Sequence, residues 1–371
     1  MKQKGLLLLV FILCLLASAP MNVLGQSITQ NPSEATKSAL QTAIEDWTKD
    51  ANHYGVSASV ILKDGTEWVS SAGTEAQGKT LTPNHLIWMA SITKTMTGAI
   101  IMKLAEEEKL GMDDAISRWL PAMDNIDPKI TIRQLLNHTN GLANYTRNPE
   151  LSTAISADQS RVFTAEELIG FVGNKAFAPG ERTQYTNTSF VLLGMIAEKV
   201  AKKPIVQLYH ERLWGPLKLT DIFLPGFESA PGPVATAWRN GQEVEPLKEM
   251  SLLTIGNSAF GLFSNARTIS RWGRALFSDS FLSPGMRSQM LTFVDAAGNI
   301  PGESGAGLGI RKYNFLGREQ WGHSGGSPLG SSLMIYDPAT GITVTVIMNQ
   351  GRGSGHFRLA PQLLEIASKG K

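Results

Sequence analysis

The chain has 371 residues, of which 18% are charged, and its 34 Lys and Arg against 32 Asp and Glu give a formal net charge of +2. So small an excess points away from nucleic acid or an anionic membrane surface as the partner. The length is enough to bury a core without disulfides, and it exceeds one simple core, so two sub-domains are expected.

Residues 1–25 read as a signal peptide. Lys2 and Lys4 form a basic start, "GLLLLVFILCLLASA" is an apolar run of leader length, and Val23 and Gly25 are small residues before a cleavage that leaves Gln26 first. The run is short for a bilayer span. Export to the periplasm or the medium is therefore expected, with no stable membrane insertion afterwards. Cys14, the one cysteine, lies inside the run behind Ile12 and Leu13, a poor setting for lipid attachment. The mature chain then has no disulfide, no cysteine–zinc site and no thiol nucleophile. Its formal charge falls to zero with the loss of Lys2 and Lys4.

Residues 31–55 predict a helix with Ala39, Ile44 and Trp47 on its inner face. "VSASVILKDG" and "TEWVSSAG" predict an antiparallel hairpin around Lys-Asp-Gly. Met89–Gly111 predicts a buried helix carrying Ile92, Met96, Ile100, Ile101 and Leu104. From Asp113 to about Lys248 the chain reads as helical patches broken by Pro and Gly. "SSLMIYDPATGITVTVIMNQ" predicts a second hairpin, and "HFRLAPQLLEIASK" a closing helix. Strands near both ends with helices between imply an α+β fold. One antiparallel sheet from 26–112 and 249–371 would be flanked by helices, and a largely helical sub-domain of 113–248 would be inserted.

Three short segments could carry chemistry. In the first, Ser91 and Lys94 lie three residues apart, on one helix face. A lysine among apolar side chains has its amine form favoured by desolvation, and that form takes a proton from a hydroxyl. The plainer alternative is an N-cap serine followed by a snorkelling lysine. In the second segment Tyr185 and Asn187 stand before an apolar helix, where the tyrosine could relay a proton and the amide could bind a substrate carbonyl. An Asn cap with a packed Tyr is the plainer alternative.

The third segment, "WGHSGGSPLGSS", contains Gly322-His323-Ser324-Gly325-Gly326, a literal G-x-S-x-G. As a nucleophile elbow it would need a helix directly after Ser324, whereas Ser-Pro-Leu-Gly and a strand-like run follow. Read otherwise, its glycines admit a substrate backbone, and His323 and Ser324 hold an acyl or carboxylate group. The plain reading is a Gly-rich turn leading into a strand. The six histidines, at 53, 85, 138, 210, 323 and 356, show no metal-ligand spacing, and His138 reads as structural. No Walker loop or dinucleotide fingerprint occurs, so neither metal nor cofactor is expected.

Ser-x-x-Lys, Tyr-x-Asn and a basic residue before Ser-Gly, in that order, resemble the serine β-lactamase and penicillin-binding superfamily. The likeness is to its class C β-lactamase and D-alanyl-D-alanine carboxypeptidase branch. "ITIRQLLNHTNGL", "LWGPLKLTDIF" and "FGLFSNARTISRW" extend it over roughly 40–360. The resemblance implies a Ser91 nucleophile, Lys94 and Tyr185 as the proton-handling pair, and Asn187 positioning the substrate amide. It also implies an oxyanion hole from the backbone N–H groups of Ser91 and Gly326, with His323, Ser324 and Gly325 binding substrate. The branch's lactamases carry Lys-Thr-Gly where this chain has His323-Ser324-Gly325. Such a histidine is charged at pH 7 only if its pKa is raised, which favours a peptidase, esterase or amidase acting on a small molecule or peptide. β-Lactam hydrolysis, and a penicillin-binding sensor acylated without turnover, are the alternatives.

Overall fold

The structure is a computed structural model that describes residues 32–50, 52–296, 300–351, 353 and 355–370. The expected signal segment lies outside these described residues.

The fold is α+β, built on an eight-stranded antiparallel sheet. Three strands come early: β1 (Gly55–Ile61), β2 (Glu67–Ala76) and β3 (Lys79–Thr80). Five come late: β4 (Glu303–Ala306), β5 (Arg311–Phe315), β6 (Arg318–Gly326), β7 (Ser331–Asp337) and β8 (Ile342–Met348). Their order across the sheet is β3-β2-β1-β8-β7-β6-β5-β4. The two halves join where Val56 faces Met348 and Val60 faces Val344. Every residue of β1 and β8 is buried, which suits their nearly unbroken small or β-branched runs to central strands. Both predicted hairpins, β1–β2 and β7–β8, are present.

Helix α1 (Glu34–Thr48) starts where the Ser33 hydroxyl accepts the Thr36 N–H at 3.1 Å. Its inner face is Leu40, Ala43 and Ile44. Ala39, predicted to face inward, is exposed, because the i, i+3, i+4 stripe of the larger side chains turns it outward. Trp47 is half-buried and stacks on His53 with ring centroids 4.0 Å apart. Helix α1 and the last helix cover one sheet face, sharing a core of Leu40, Ile44, Val344, Val346, Leu359 and Leu363.

Helix α2 (Thr93–Glu106) lies in the second, larger core, with Ile92, Met96, Ile100, Ile101 and Leu104 buried as the spacing predicts. The predicted single helix from Met89 is instead a 3₁₀ turn, Ala90–Ile92, leading into α2. Helix α3 (Thr188–Ala201) and the short α4 (Asn257–Phe260) flank it. Helix α5 (Ala266–Leu276) packs on the sheet, where a Cβ on Gly273 would stand 2.8 Å from Met334 Sδ. The last helix, α6, spans Gly355–Lys369. Between 113 and 248 the described chain is mostly helices and loops, with short strands such as Ala237–Arg239 and Gln242–Val244.

Replacing Leu363, which is fully buried between α6 and the sheet, with alanine is expected to cost about 2–5 kcal/mol. Denaturant unfolding measures this, and a loss under about 1 kcal/mol would contradict the packing.

Candidate active site

Ser91 occupies the 3₁₀ turn ahead of α2, and the residue before it, Ala90, has φ +48°. A left-handed backbone at a non-glycine residue stores strain that the surroundings must hold. Three contacts hold it here. The Thr93 hydroxyl donates to Ala90 O at 2.7 Å and accepts the Leu262 N–H at 3.2 Å, and the Ser332 hydroxyl of β7 donates to Met89 O at 2.8 Å. Ser91 itself makes no N-cap bond to the helix, which leaves its side chain free for other partners.

Lys94, one turn on, is 0% exposed. Its Nζ donates to Asn187 Oδ1 at 2.7 Å and to Ala259 O of α4 at 2.9 Å, and lies 3.3 Å from Ser91 Oγ. Burial, and secondarily the Arg311 charge, hold its pKa well below the ordinary lysine value. A neutral amine has two N–H donors and one lone pair. The donors are taken by the amide and carbonyl oxygens, which leaves the lone pair for the serine hydroxyl.

The Tyr185 hydroxyl donates to Ser91 Oγ at 2.7 Å. Burial pushes the Tyr185 phenol above its ordinary pKa, although Arg311 and the bond to Ser91 oppose the shift. It is therefore protonated at neutral pH. Tyr185 is set by His138, whose ring centroid lies 4.6 Å away and whose backbone O accepts the Gln184 N–H at 2.9 Å. Asn187 directly precedes α3 but makes no capping bond with its side chain. Its Oδ1 is turned to Lys94 instead.

The third segment is strand β6 as far as Gly326, then a tight turn at 327–330 that leads into β7, so the predicted turn begins later than its glycines suggest. Without a following helix there is no nucleophile elbow at Ser324. Ser324 and Gly326 line a cavity of about 540 Å³ together with Ser91, Arg147, Arg182, Tyr185 and Arg311. Gly325 points the other way, since a Cβ there would stand 2.2 Å from Met89 O and 3.1 Å from Ala90 Cβ. Its bareness lets β6 close on the strained turn, so the approach that sequence reasoning gave to a substrate is used by the chain's own backbone. At Gly326 an added Cβ would meet nothing within 4 Å.

His323 is buried, and its Nδ1 is 2.6 Å from Ser324 O. Burial first, then the charges of Arg311 and Lys94, hold it well below the ordinary histidine pKa despite that carbonyl. It is neutral at pH 7 and offers no cationic anchor for a substrate carboxylate. The buried cation that reaches the site is Arg311 of β5, which the sequence motifs do not signal. Its guanidinium carbon lies 4.5 Å from the Tyr185 ring centroid. It is ion-paired with Glu303 of β4, and the two side chains are only 7% and 2% exposed. Among the described residues no group of three or more His, Cys, Asp or Glu is placed to hold a metal ion. No helix there is long and apolar enough to cross a membrane.

A family model described as Beta-lactamase matches residues 40–368. The chain belongs to the beta-lactamase family. Members of that family are serine hydrolases that act through an acyl-enzyme, and in this chain the Ser91 hydroxyl lies between Lys94 Nζ and the Tyr185 hydroxyl. Penicillin-binding protein 4* of Bacillus subtilis is 26% identical over 272 residues, covering 69% of this chain and 58% of that protein. Esterase EstB of Burkholderia gladioli is 28% identical over 185 residues, 46% of each. The match thus spans less than two thirds of the length of these relatives. A D-stereospecific amidohydrolase from Streptomyces is similar in structure, with a TM-score of 0.76 and 28% identity over 87% of this chain and 98% of that one. D-amino acid amidase from Ochrobactrum anthropi shares the fold, with a TM-score of 0.82 at 23% identity over 90% and 99% of the two chains.

The opposite orientations of Gly325 and Gly326 generate a paired prediction. Gly325→Ala should lower stability by about 1–3 kcal/mol by overpacking, while Gly326→Ala stays within about 0.5 kcal/mol of wild type. Equal melting temperatures for the two variants would contradict the close approach of β6 to Met89.

Proposed function

We propose that this protein is an exported amidase or esterase that cleaves small amides or esters through a Ser91 acyl-enzyme, with D-amino-acid derivatives as the substrate class. The carrying observation is the order of the polar contacts. Lys94 spends its N–H donors on Asn187 and Ala259 and presents its lone pair to Ser91, while Tyr185 donates to the same oxygen. Lys94 is then the base and Tyr185 the acid.

In acylation the Ser91 Oγ–C bond forms as the hydroxyl proton passes to Lys94 Nζ. The carbonyl π electrons move onto oxygen, where the N–H groups of Ser91 and Gly326 receive them; such donors are commonly worth about 3 kcal/mol each. On collapse the C–N or C–O bond breaks, and the leaving group takes a proton from Tyr185, which is replenished from Lys94. Water then adds to the acyl carbon by the same proton path reversed and frees Ser91. Asn187 Nδ2 faces the acyl chain beyond that carbonyl, where it positions a substrate amide.

The charge distribution favours amidase or esterase over carboxypeptidase within this reading. His323 is neutral and Arg311 is already compensated by Glu303. A free C-terminal carboxylate on the leaving group would find no uncommitted buried cation there, whereas an amide or ester needs none. The Streptomyces amidohydrolase and the Burkholderia esterase support the same direction. Export is supported by Lys2, Lys4 and the apolar run that follows them.

A turnover panel tests this. p-Nitrophenyl esters and D-amino-acid amides should be hydrolysed faster than D-Ala-D-Ala peptides or nitrocefin. Ser91→Ala should lose at least about 10⁴-fold. Labelling by penicillin without turnover of any substrate would make the protein a sensor, and rapid cephalosporin turnover would make it a lactamase.

The pH profile gives a separate check. The acidic limb of kcat/KM should follow the depressed Lys94 amine, and activity should rise with pH as that amine loses its proton. Because His323 is neutral throughout, His323→Asn should leave the position of the limb unchanged. A limb that disappears in His323→Asn would assign the titration to the histidine.

A further inference from the structure

The cavity in front of Ser91 is lined by three arginines, 147, 182 and 311, and by no carboxylate among the described residues. Arg311 is compensated by Glu303. Arg147 and Arg182 are exposed, and neither has an ion pair among the described residues. Arginines elsewhere are treated differently. In a second, basic groove Arg212 is held by Glu107, Arg271 by Glu67, and Arg274 by the carbonyls of Leu62 and Lys63. Two uncommitted guanidinium groups facing a nucleophile in a chain of nearly balanced charge form a local positive field.

Both arginines sit on braced backbone. Arg147 ends a short helix, Tyr145–Arg147, whose Asn144 cap accepts the Thr146 N–H and the Asn187 N–H, each at 3.4 Å. Arg182 lies on the loop into Tyr185. That loop is tied down where the Gly180 N–H donates to Thr139 O at 2.7 Å and the Gln184 N–H donates to His138 O. The Arg182 guanidinium carbon lies 4.7 Å from the Phe177 ring centroid, which limits its swing. Neither arginine needs a large rearrangement to meet a ligand.

Their position relative to Asn187 decides which end of the substrate they meet. Ser324, Gly326 and Arg311 enter the cavity lining from the sheet, and Arg147 and Arg182 from the short helix and the loop that precede α3. Asn187 Nδ2, which faces the acyl chain in the proposed function, donates to Thr146 Oγ1 at 3.5 Å, next to Arg147. On the acyl-enzyme reading, an acyl chain facing Asn187 runs toward Arg147 and the leaving group lies toward the strands.

We propose that Arg147 and Arg182 form an anion subsite for the acyl portion of the substrate, so that the preferred substrates are amides or esters of an acid bearing a second carboxylate. The geometry suits bidentate guanidinium–carboxylate bonds at the rim of the cavity. The inference rests on the acyl-enzyme reading of Ser91 and on the placement of Asn187.

The test compares two esters of one leaving group with a third that carries its charge on a different leaving group. Mono-p-nitrophenyl glutarate carries the anion on the acyl side, p-nitrophenyl valerate is its neutral counterpart, and 4-acetoxybenzoate carries an anion on the leaving group. The glutarate ester should exceed the valerate ester by about tenfold in kcat/KM, the scale expected for a rim charge contact. In Arg147→Ala/Arg182→Ala that ratio should fall to about one, and the double lysine variant should restore part of it. About 0.5 M NaCl should also compress it, since the arginines are exposed. A ratio near one in the wild type, a ratio indifferent to both arginines, or a preference for 4-acetoxybenzoate would each overturn the proposal.

A binding measurement keeps the two readings separate. Calorimetry of monomethyl glutarate on Ser91→Ala should detect binding that the arginine substitutions weaken about tenfold. If no ester is turned over, or if turnover survives Ser91→Ala, the proposed function falls, and calorimetry still decides the subsite. Turnover that depends on Ser91 but ignores the acyl charge overturns the subsite alone.

Discussion

Everything in the site depends on how the fold tolerates a lysine in the first turn of a buried helix. An ammonium there would need an anion beside it. Lys94 has none; its partners are an amide oxygen, a backbone carbonyl and a hydroxyl. Such dipoles satisfy an amine but compensate a full charge poorly, and the helix therefore favours the uncharged form. The same desolvation keeps the Tyr185 phenol protonated and the His323 imidazole neutral. A serine placed among them faces an acceptor on one side and a donor on the other. The nearest full charges, on Arg311 and Glu303, offset each other.

A second constraint is steric. The site is the seam between a sheet edge and the turn that carries Ser91, and Gly325 brings the two together. The strain at Ala90 is tolerable because Thr93, Leu262 and Ser332 fix the turn from three directions. Helix α4 serves the same end from the opposite side. The Thr97 hydroxyl, one turn past Lys94, donates to Ser258 O at 2.6 Å and so keeps Ala259 O at the amine. Packing and chemistry are thus served by the same few contacts.

The sequence carries much of this, though unevenly. The hairpins at 55–76 and 331–348 were legible because long β-branched alternations bracket clear turns. The α+β class followed from strands near both ends. Strands β4 to β6 were not legible, since a segment such as "REQWGHSGG" is rich in charge and glycine and imitates a turn. Its glycines answer to a neighbouring backbone that a local pattern cannot display. Ser91, Lys94, Tyr185 and Asn187 were legible through their residue types and order. Arg311, Arg147 and Arg182 were not, because long-range folding alone brings them to the cavity, and the same holds for His138 behind Tyr185. The neutrality of His323 was equally hidden, because it follows from burial and not from residue type.

The sheet itself has a consequence for how the molecule comes into being. Its central pairing joins Val56 to Met348 and Ile61 to Thr343, so the innermost ladder closes a loop of nearly the whole chain. Contacts so distant in sequence form slowly and late. Strand β6, which lines the cavity, pairs with β5 on one side but reaches the early strands only through β7 and β8. A nascent chain would therefore emerge as a hydrolase without an assembled site. The seam that holds Ser91 against β6 is complete only once the last strands have formed.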